Sequence, residues 1–230
     1  MKLPSLVPGF FIRRENRFRA RVLVRGREST AHVPNSGRLR ELFTPMAPLW
    51  LAPKSSPTRK TPYDLLLVQH GNVLVSVDAR LPNALFEEAL RLGRASLGPG
   101  RWEISREVRQ GKSRLDFCLR RGKETCWVEV KSVTLVQGGT ALFPDAPTLR
   151  GSRHLEELIH LLDSGERAAI VFVVQRPDAL RFCPHAQADP LFARTLAQAA
   201  QAGVKVKAYI CQVSTEEITI TQEIPALAAC

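Results

Sequence analysis

The rhythm of apolar and polar positions changes once along the chain, near Leu81. Before it, apolar residues alternate with polar ones over short stretches at 9–12, 17–22, 22–24, 29–33, 49–52, 65–69 and 73–77, separated by breaks at 34–37, 53–57 and 71–72. Period-two alternation bounded by Pro and Gly predicts strands. About five short strands in about 80 residues predict a small all-β barrel of the OB type, a common platform for nucleic acid; any small β domain with a solvated basic face fits the same pattern. From Leu81 the spacing becomes helical. Asn83 stands where it can cap a helix whose stripe is Leu85, Phe86, Ala89, Leu90 and Leu92, ended by Gly93. Three strands are expected at 102–109, 114–119 and 125–136, the last bending after Lys131. They precede a helix over 148–163 with Leu155, Leu158, Ile159 and Leu162 inward, and a wholly apolar, hence central, strand at 168–174. Asp189-Pro190 opens a further helix that ends at Gly203, before a last strand at 204–213. The order αβββαβ, then αβ, predicts an α/β unit with a mixed sheet over 83–230, following the β domain over 1–82.

Chemistry concentrates in the hairpin of that second unit. With Gly122-Lys123 as a two-residue loop, residue 121 faces 124 and 119 faces 126, which carries Asp116 to Glu129. Carboxylates directly opposed across a ladder repel, unless a cation lies between them. Lys131 is two residues further on the Glu129 face. Two hard oxygen ligands with an ammonium beside them suit phosphodiester hydrolysis, in which a divalent ion polarises the phosphoryl oxygen and acidifies a water. A solvated charged face, with Lys131 neutralising Glu129, is the plainer reading of the same spacing. Glu88, near the Leu85–Leu92 edge of the first helix, is placed to reach inward, and Glu107 is a weaker extra candidate.

Charge extends this picture. Residues 1–82 hold 14 Lys and Arg against 5 Asp and Glu, while 83–230 hold 19 against 17, so most of the net +11 lies in the first part. That asymmetry points to a polyanion-binding module joined to a near-neutral one. Arg17, Arg19 and Arg21 fall on one side of one predicted strand, and Arg13, Arg14 and Arg38 add to the same basic half. The chain contains neither an apolar run long enough to span a bilayer nor a signal-peptide core, so a cytoplasmic protein is expected, with no membrane partner. The five cysteines, 118, 126, 183, 211 and 230, are odd in number and widely spaced, which predicts reduced core residues.

Several stretches together resemble one known family. Pro34-Asn35-Ser36-Gly37, Leu81-Pro82-Asn83, Glu88-Ala89, 113–117, Val128-Glu129-Val130-Lys131-Ser132-Val133-Thr134-Leu135, Phe143-Pro144-Asp145-Ala146 and Arg150-Gly151 with His154-Leu155 are similar to the sugar fermentation stimulation protein A family. The chain departs from it at Leu149 and Ser152, where Glu and Gln are expected. The resemblance implies an OB-like domain followed by a restriction-endonuclease-like PD-(D/E)xK core. It implies Mg2+ or Mn2+ held by Asp116, Glu129, the Val130 carbonyl and Glu88, with Lys131 acting on the attacking hydroxide. It also places Arg150 and His154 on the phosphates, with Trp127 as a stacking candidate beside its core reading. DNA is the implied partner, and a homodimer is an open arrangement. A non-catalytic DNA-binding regulator of sugar (maltose) genes is the competing expectation, and a sugar-metabolic enzyme a weaker one, since neither a hydrolase triad nor a nucleotide-binding Gly loop is visible.

Overall fold

The computed structural model describes residues 1–55, 58–110 and 113–230; residues 56 and 57 of the predicted 53–57 break lie outside them. The first part is β1 (Val7–Asn16), β2 (Arg19–Val24), β3 (Arg27–His32), β4 (Pro48–Pro53), β5 (Tyr63–His70) and β6 (Val73–Ser76). They pair in the order β3-β2-β1-β4-β5-β6, and a parallel contact of Ala31 with Tyr63 and His32 with Asp64 closes β3 onto β5. The result is the expected closed five-stranded OB barrel. Stretches 17–22 and 22–24 are the single strand β2, which begins only at Arg19 and leaves Arg17 in the preceding turn. Alternation holds along β2, with Ala20, Val22 and Val24 buried in the barrel core.

β5 breaks that alternation for a physical reason. Its register against β4 shifts between Trp50 and Leu51, so one extra residue, Leu66, is inserted. The bulge turns Leu66 and Leu67 outward while Leu65 and Val68 stay in the barrel. The outward pair joins Ala52, Leu85, Phe86 and Phe117 in a core shared with the second domain. A continuous apolar run here serves two cores, and each fully buried Leu contributes roughly 1.5–3 kcal/mol.

The second domain comprises α1 (Pro82–Arg91), β7 (Glu103–Gln110), β8 (Ser113–Arg121), β9 (Glu124–Val133), β10 (Leu135–Gln137), β11 (Thr140–Phe143), α2 (Leu149–Asp163), β12 (Arg167–Val174), β13 (Arg181–Pro184), α3 (Pro190–Ala202), β14 (Lys205–Val213) and β15 (Ile218–Ile224). Its mixed sheet runs β15-β14-β12-β9-β8-β7, with the apolar β12 parallel to both neighbours and buried over residues 168–174. α1 covers one face of this sheet, α2 and α3 the other. Thr148 caps α2 through the Gly151 amide, Asp189 caps α3 through the Phe192 amide, and Gly203 ends α3 at φ 110°. The stretch at 125–136 is two strands rather than one bent strand, because β10 leaves the main sheet after Thr134 to join β11 and β13 in a second, three-stranded sheet. β15 is an antiparallel edge strand on β14, beyond the last predicted strand at 204–213.

The cysteines divide. Cys118, Cys126 and Cys211 are free and buried as expected, whereas Cys183 and Cys230 form a disulfide. The C-terminal segment runs beside β13, with the Phe182 amide donating to the Pro225 carbonyl and the Leu227 amide to the Phe182 carbonyl. That brings the two Cα atoms to 6.2 Å, within bridging range. No helix among the described residues is long and apolar enough to cross a membrane.

Candidate active site

The hairpin of β8 and β9 turns through Gly122, whose φ of 58° at the first central position is one that L side chains rarely adopt. Arg121 pairs with Glu124, Leu119 with Cys126 and Phe117 with Val128. The regular ladder stops there, one step short of the Asp116–Glu129 level. Instead of backbone pairing, the Asp116 carboxylate accepts a hydrogen bond from the Val130 amide at 2.8 Å, and its other oxygen accepts one from the Asn83 side chain at 2.8 Å. Face alternation breaks at the same point: Leu115 packs on the α2 side of the sheet and Phe117 on the α1 side. Asp116 lies at that seam. The neighbouring strand yields too, since Glu107 adopts φ 52° and the β7–β8 pairing skips the level between Arg106–Phe117 and Val108–Leu115.

Glu129 is buried on the α2 side. One carboxylate oxygen accepts from Lys131 Nζ at 2.6 Å and from Nδ1 of His154, while the second is buried without a partner among the described residues. Arg150 Nε donates to His154 Nε2 at 3.4 Å, so an imidazole carrying its proton on Nδ1 satisfies both contacts. Burial, and then the neighbouring Glu129 charge, hold the Asp116 carboxyl above the usual carboxylate range, against the opposing pull of Val130, Asn83 and Lys131. Burial also pushes the Glu129 carboxyl up, but the His154 hydrogen bond and Lys131 outweigh it and leave it below its usual range. Two carboxylates thus stand within each other's field, with one ammonium bonded to Glu129.

Other expectations need correction. Glu88 points to the far end of α1, where it accepts from the Met1 ammonium at 2.9 Å, and it makes no hydrogen bond within the acidic cluster. Asn83 is the α1 residue that reaches the cluster. It is free to do so because α1 starts two residues earlier than predicted, at Pro82 behind Leu81, with no side-chain cap. His154 is a buried partner of Glu129 rather than part of a surface face; Arg150 is exposed beside it. Glu107 is exposed and pairs with Arg114 at 3.5 Å. Trp127 is a core residue whose indole donates to Glu166 at 2.5 Å. Among the described residues no three His, Cys, Asp or Glu side chains converge as a ready ligand set.

The basic half is organised differently from a flat arginine strand. Arg19 and Arg21 each lie 2.8 Å from Glu15, which neutralises much of that face. Arg14 donates to five carbonyls, that of Asn16 at 3.2 Å and those of Arg17, Asn35, Gly37 and Arg38 at 2.5–3.0 Å, so its guanidinium is a loop brace. Arg13, Arg17, Arg38 and Arg40 line a groove of about 790 Å³ floored by Phe11, Ile12 and Phe43. The stretches around Asn35 and Asp145 meet here: Asn35 Oδ1 accepts from the Gly37 amide, and Asp145 accepts from the amides of Arg38 at 2.6 Å and Leu39 at 3.2 Å. Asp145 thereby fastens the barrel to the second domain. Gln175, fully buried, adds a second tie by accepting from Ser76 and donating to Ser132 and the Asp78 carbonyl.

Comparison with known proteins gives the same division. Residues 12–77 match the family described as SfsA N-terminal OB domain, and residues 80–217 the sugar fermentation stimulation protein RE domain. A sugar fermentation stimulation protein homolog of Moorella thermoacetica is 46% identical over 223 residues, covering 96% of each chain. One from Desulforamulus reducens is 43% identical over 223 residues, 97% of this chain and 93% of that one. The solved structure of Pyrococcus furiosus SfsA in complex with Ca2+ is 36% identical with a TM-score of 0.89, covering 99% of this chain and 98% of the other.

Proposed function

This chain belongs to the sugar fermentation stimulation protein family, and we propose that it is a cytoplasmic DNA-binding protein that hydrolyses phosphodiester bonds at Asp116, Glu129 and Lys131 with a divalent cation, Mg2+ or Mn2+. The observation that carries this reading is the second oxygen of Glu129, buried without a donor among the described residues. An unsatisfied buried carboxylate oxygen costs on the order of 1–3 kcal/mol, which a cation would offset. Asp116, destabilised as an anion by burial and then by the Glu129 charge, points the same way. The Pyrococcus furiosus relative was solved with Ca2+, which takes hard oxygen ligands as Mg2+ does.

Asp116 and Glu129 would hold the cation, with the Val130 carbonyl as a further oxygen. When bound, the cation polarises a phosphoryl oxygen and acidifies a water. His154 and Lys131 hold one oxygen of Glu129, and the other would be the one to take the cation. The Lys131 ammonium is placed to stabilise charge developing on the phosphorus oxygens, and exposed Arg150 to hold an adjacent phosphate. The test is cleavage of labelled DNA by metal-stripped protein to which Mg2+ or Mn2+ is returned. Lys131→Ala should lower turnover by roughly 10²–10³ while leaving DNA affinity in EDTA unchanged. Wild-type protein that leaves single and double strands intact in both metals, or cleavage that persists in Lys131→Ala, ends the nuclease reading. One observation favours a second reading, a non-catalytic DNA-binding regulator of sugar genes: no three ligating side chains converge among the described residues. Metal-independent DNA binding without cleavage is its signature.

A further inference from the structure

We infer that the nucleic acid this chain takes is a single strand, seated with a base against Phe43 in the barrel groove and running through the cleft between the two domains toward the acidic centre. The inference rests on the DNA-binding reading and adds the strandedness and path of the ligand. The groove has an apolar floor under a cationic rim: Phe43 stacks on Phe11 at 4.8 Å between centroids, and Arg13, Arg17, Arg38 and Arg40 stand around it with no ion pair among the described residues. A duplex presents phosphates outward and keeps its base faces stacked away, so it leaves such a floor unused. An unstacked base with its own phosphate fits both parts, which is how sequence-tolerant single-strand binders work.

The groove continues. Arg17, Ser36, Gly37, Ala146 and Pro147 line both it and a second cleft of about 290 Å³. That cleft is bounded by Ser132, next to Lys131, and by Thr148, the cap of the helix that carries Arg150 and His154. Its width is set by the chain itself, because Asp145 holds the amides of Arg38 and Leu39 and Arg14 holds the carbonyls of Asn35, Gly37 and Arg38 in the same wall. A cleft of about 290 Å³ is too small a space for a duplex, whose major groove alone is about 12 Å across. The flat face of β2 is a poor alternative for duplex, since Glu15 sits between Arg19 and Arg21.

Fluorescence anisotropy in EDTA, so that no cleavage intervenes, tests this with oligo(dT) of about a dozen nucleotides and a mixed-sequence duplex of equal length at one salt concentration. The single strand should bind at least about tenfold tighter, and Phe43→Ala should cost single-strand affinity roughly tenfold while leaving duplex affinity in place. Because Phe43 also touches the barrel core, Arg40→Glu, an exposed change, is the second variant and should weaken single-strand binding alone. Duplex bound as tightly as single strand overturns the inference and leaves DNA binding standing. Single-strand preference indifferent to both variants overturns the path. No binding of either form removes the DNA-binding reading along with it.

Discussion

At the scale of single residues, Asp116 and Glu129 carry opposite stability signatures, although both are acids of one centre. The Asp116 carboxyl has a raised folded pKa, so its ionised form costs stability above the unfolded value, and the cost is relieved as pH falls through the folded value. Asp116→Asn should therefore raise the Tm of metal-free protein at neutral pH by about 2–4 °C, a gain that shrinks toward roughly pH 4. The amide is tolerated because Asn83 can turn its own amide to present oxygen, while the Val130 amide keeps an acceptor. Glu129 has a depressed folded pKa, so its contribution is present above the unfolded value and lost as pH falls through the folded one. Glu129→Ala strands Lys131 and His154 and should cost about 3–5 kcal/mol. Differential scanning calorimetry across pH in EDTA checks both; equal signs for the two substitutions would mean that the Asp116 carboxyl is not held above its usual range. Spacing made this pair legible, since a Gly turn fixes register by counting. It did not disclose that His154, which the resemblance sets on the phosphates, is the partner of Glu129, since the two lie 25 residues apart and meet only when α2 packs back on β9. It also assigned the α1 contribution to Glu88 rather than Asn83, because helical periodicity ranks positions around an axis but does not show where the first turn begins.

At the scale of elements, what was legible is what local physics decides. The apolar β12, the Asp189 cap and the Gly203 stop all follow from near neighbours in sequence. The break of β9 from β10, the edge strand β15 and the Cys183–Cys230 bridge depend on partners far along the chain. The Asn35–Gly37 and Asp145 stretches show the same dependence: alone each reads as a turn, together they are a joint. An ideal Cβ on Gly37 would sit 2.7 Å from an Asp145 oxygen already committed to the Arg38 amide. Gly37→Ala should cost roughly 1–3 kcal/mol through that forced displacement. Asp145→Ala should cost a comparable amount, about 1–3 kcal/mol, through the amides it leaves unpaired. The double variant should cost little more than either alone, because both remove one contact. Urea melts of the three proteins decide it, and additive losses would show that the glycine serves some other contact.

At the scale of the whole molecule, the basic excess of the first half was readable from composition, yet its count of useful charges was not. Arg19 and Arg21 are shared with Glu15, and Arg14 is spent on carbonyls, which leaves the groove arginines to meet phosphate. Salt dependence separates these populations, since each phosphate neutralised on a single strand contributes about 0.7 to the slope of log K against log salt. Replacing Arg13, Arg17, Arg38 and Arg40 by Ala should flatten that slope by roughly 2–3. Replacing Arg19 and Arg21 should change it by well under 1, because those guanidiniums already have a carboxylate beside them. Titrations of oligo(dT) from about 50 to 200 mM salt in EDTA read the slopes directly. A larger loss from the Arg19 and Arg21 pair than from the groove set would move the nucleic acid onto the outer face of β2 and away from the cleft that leads to Lys131.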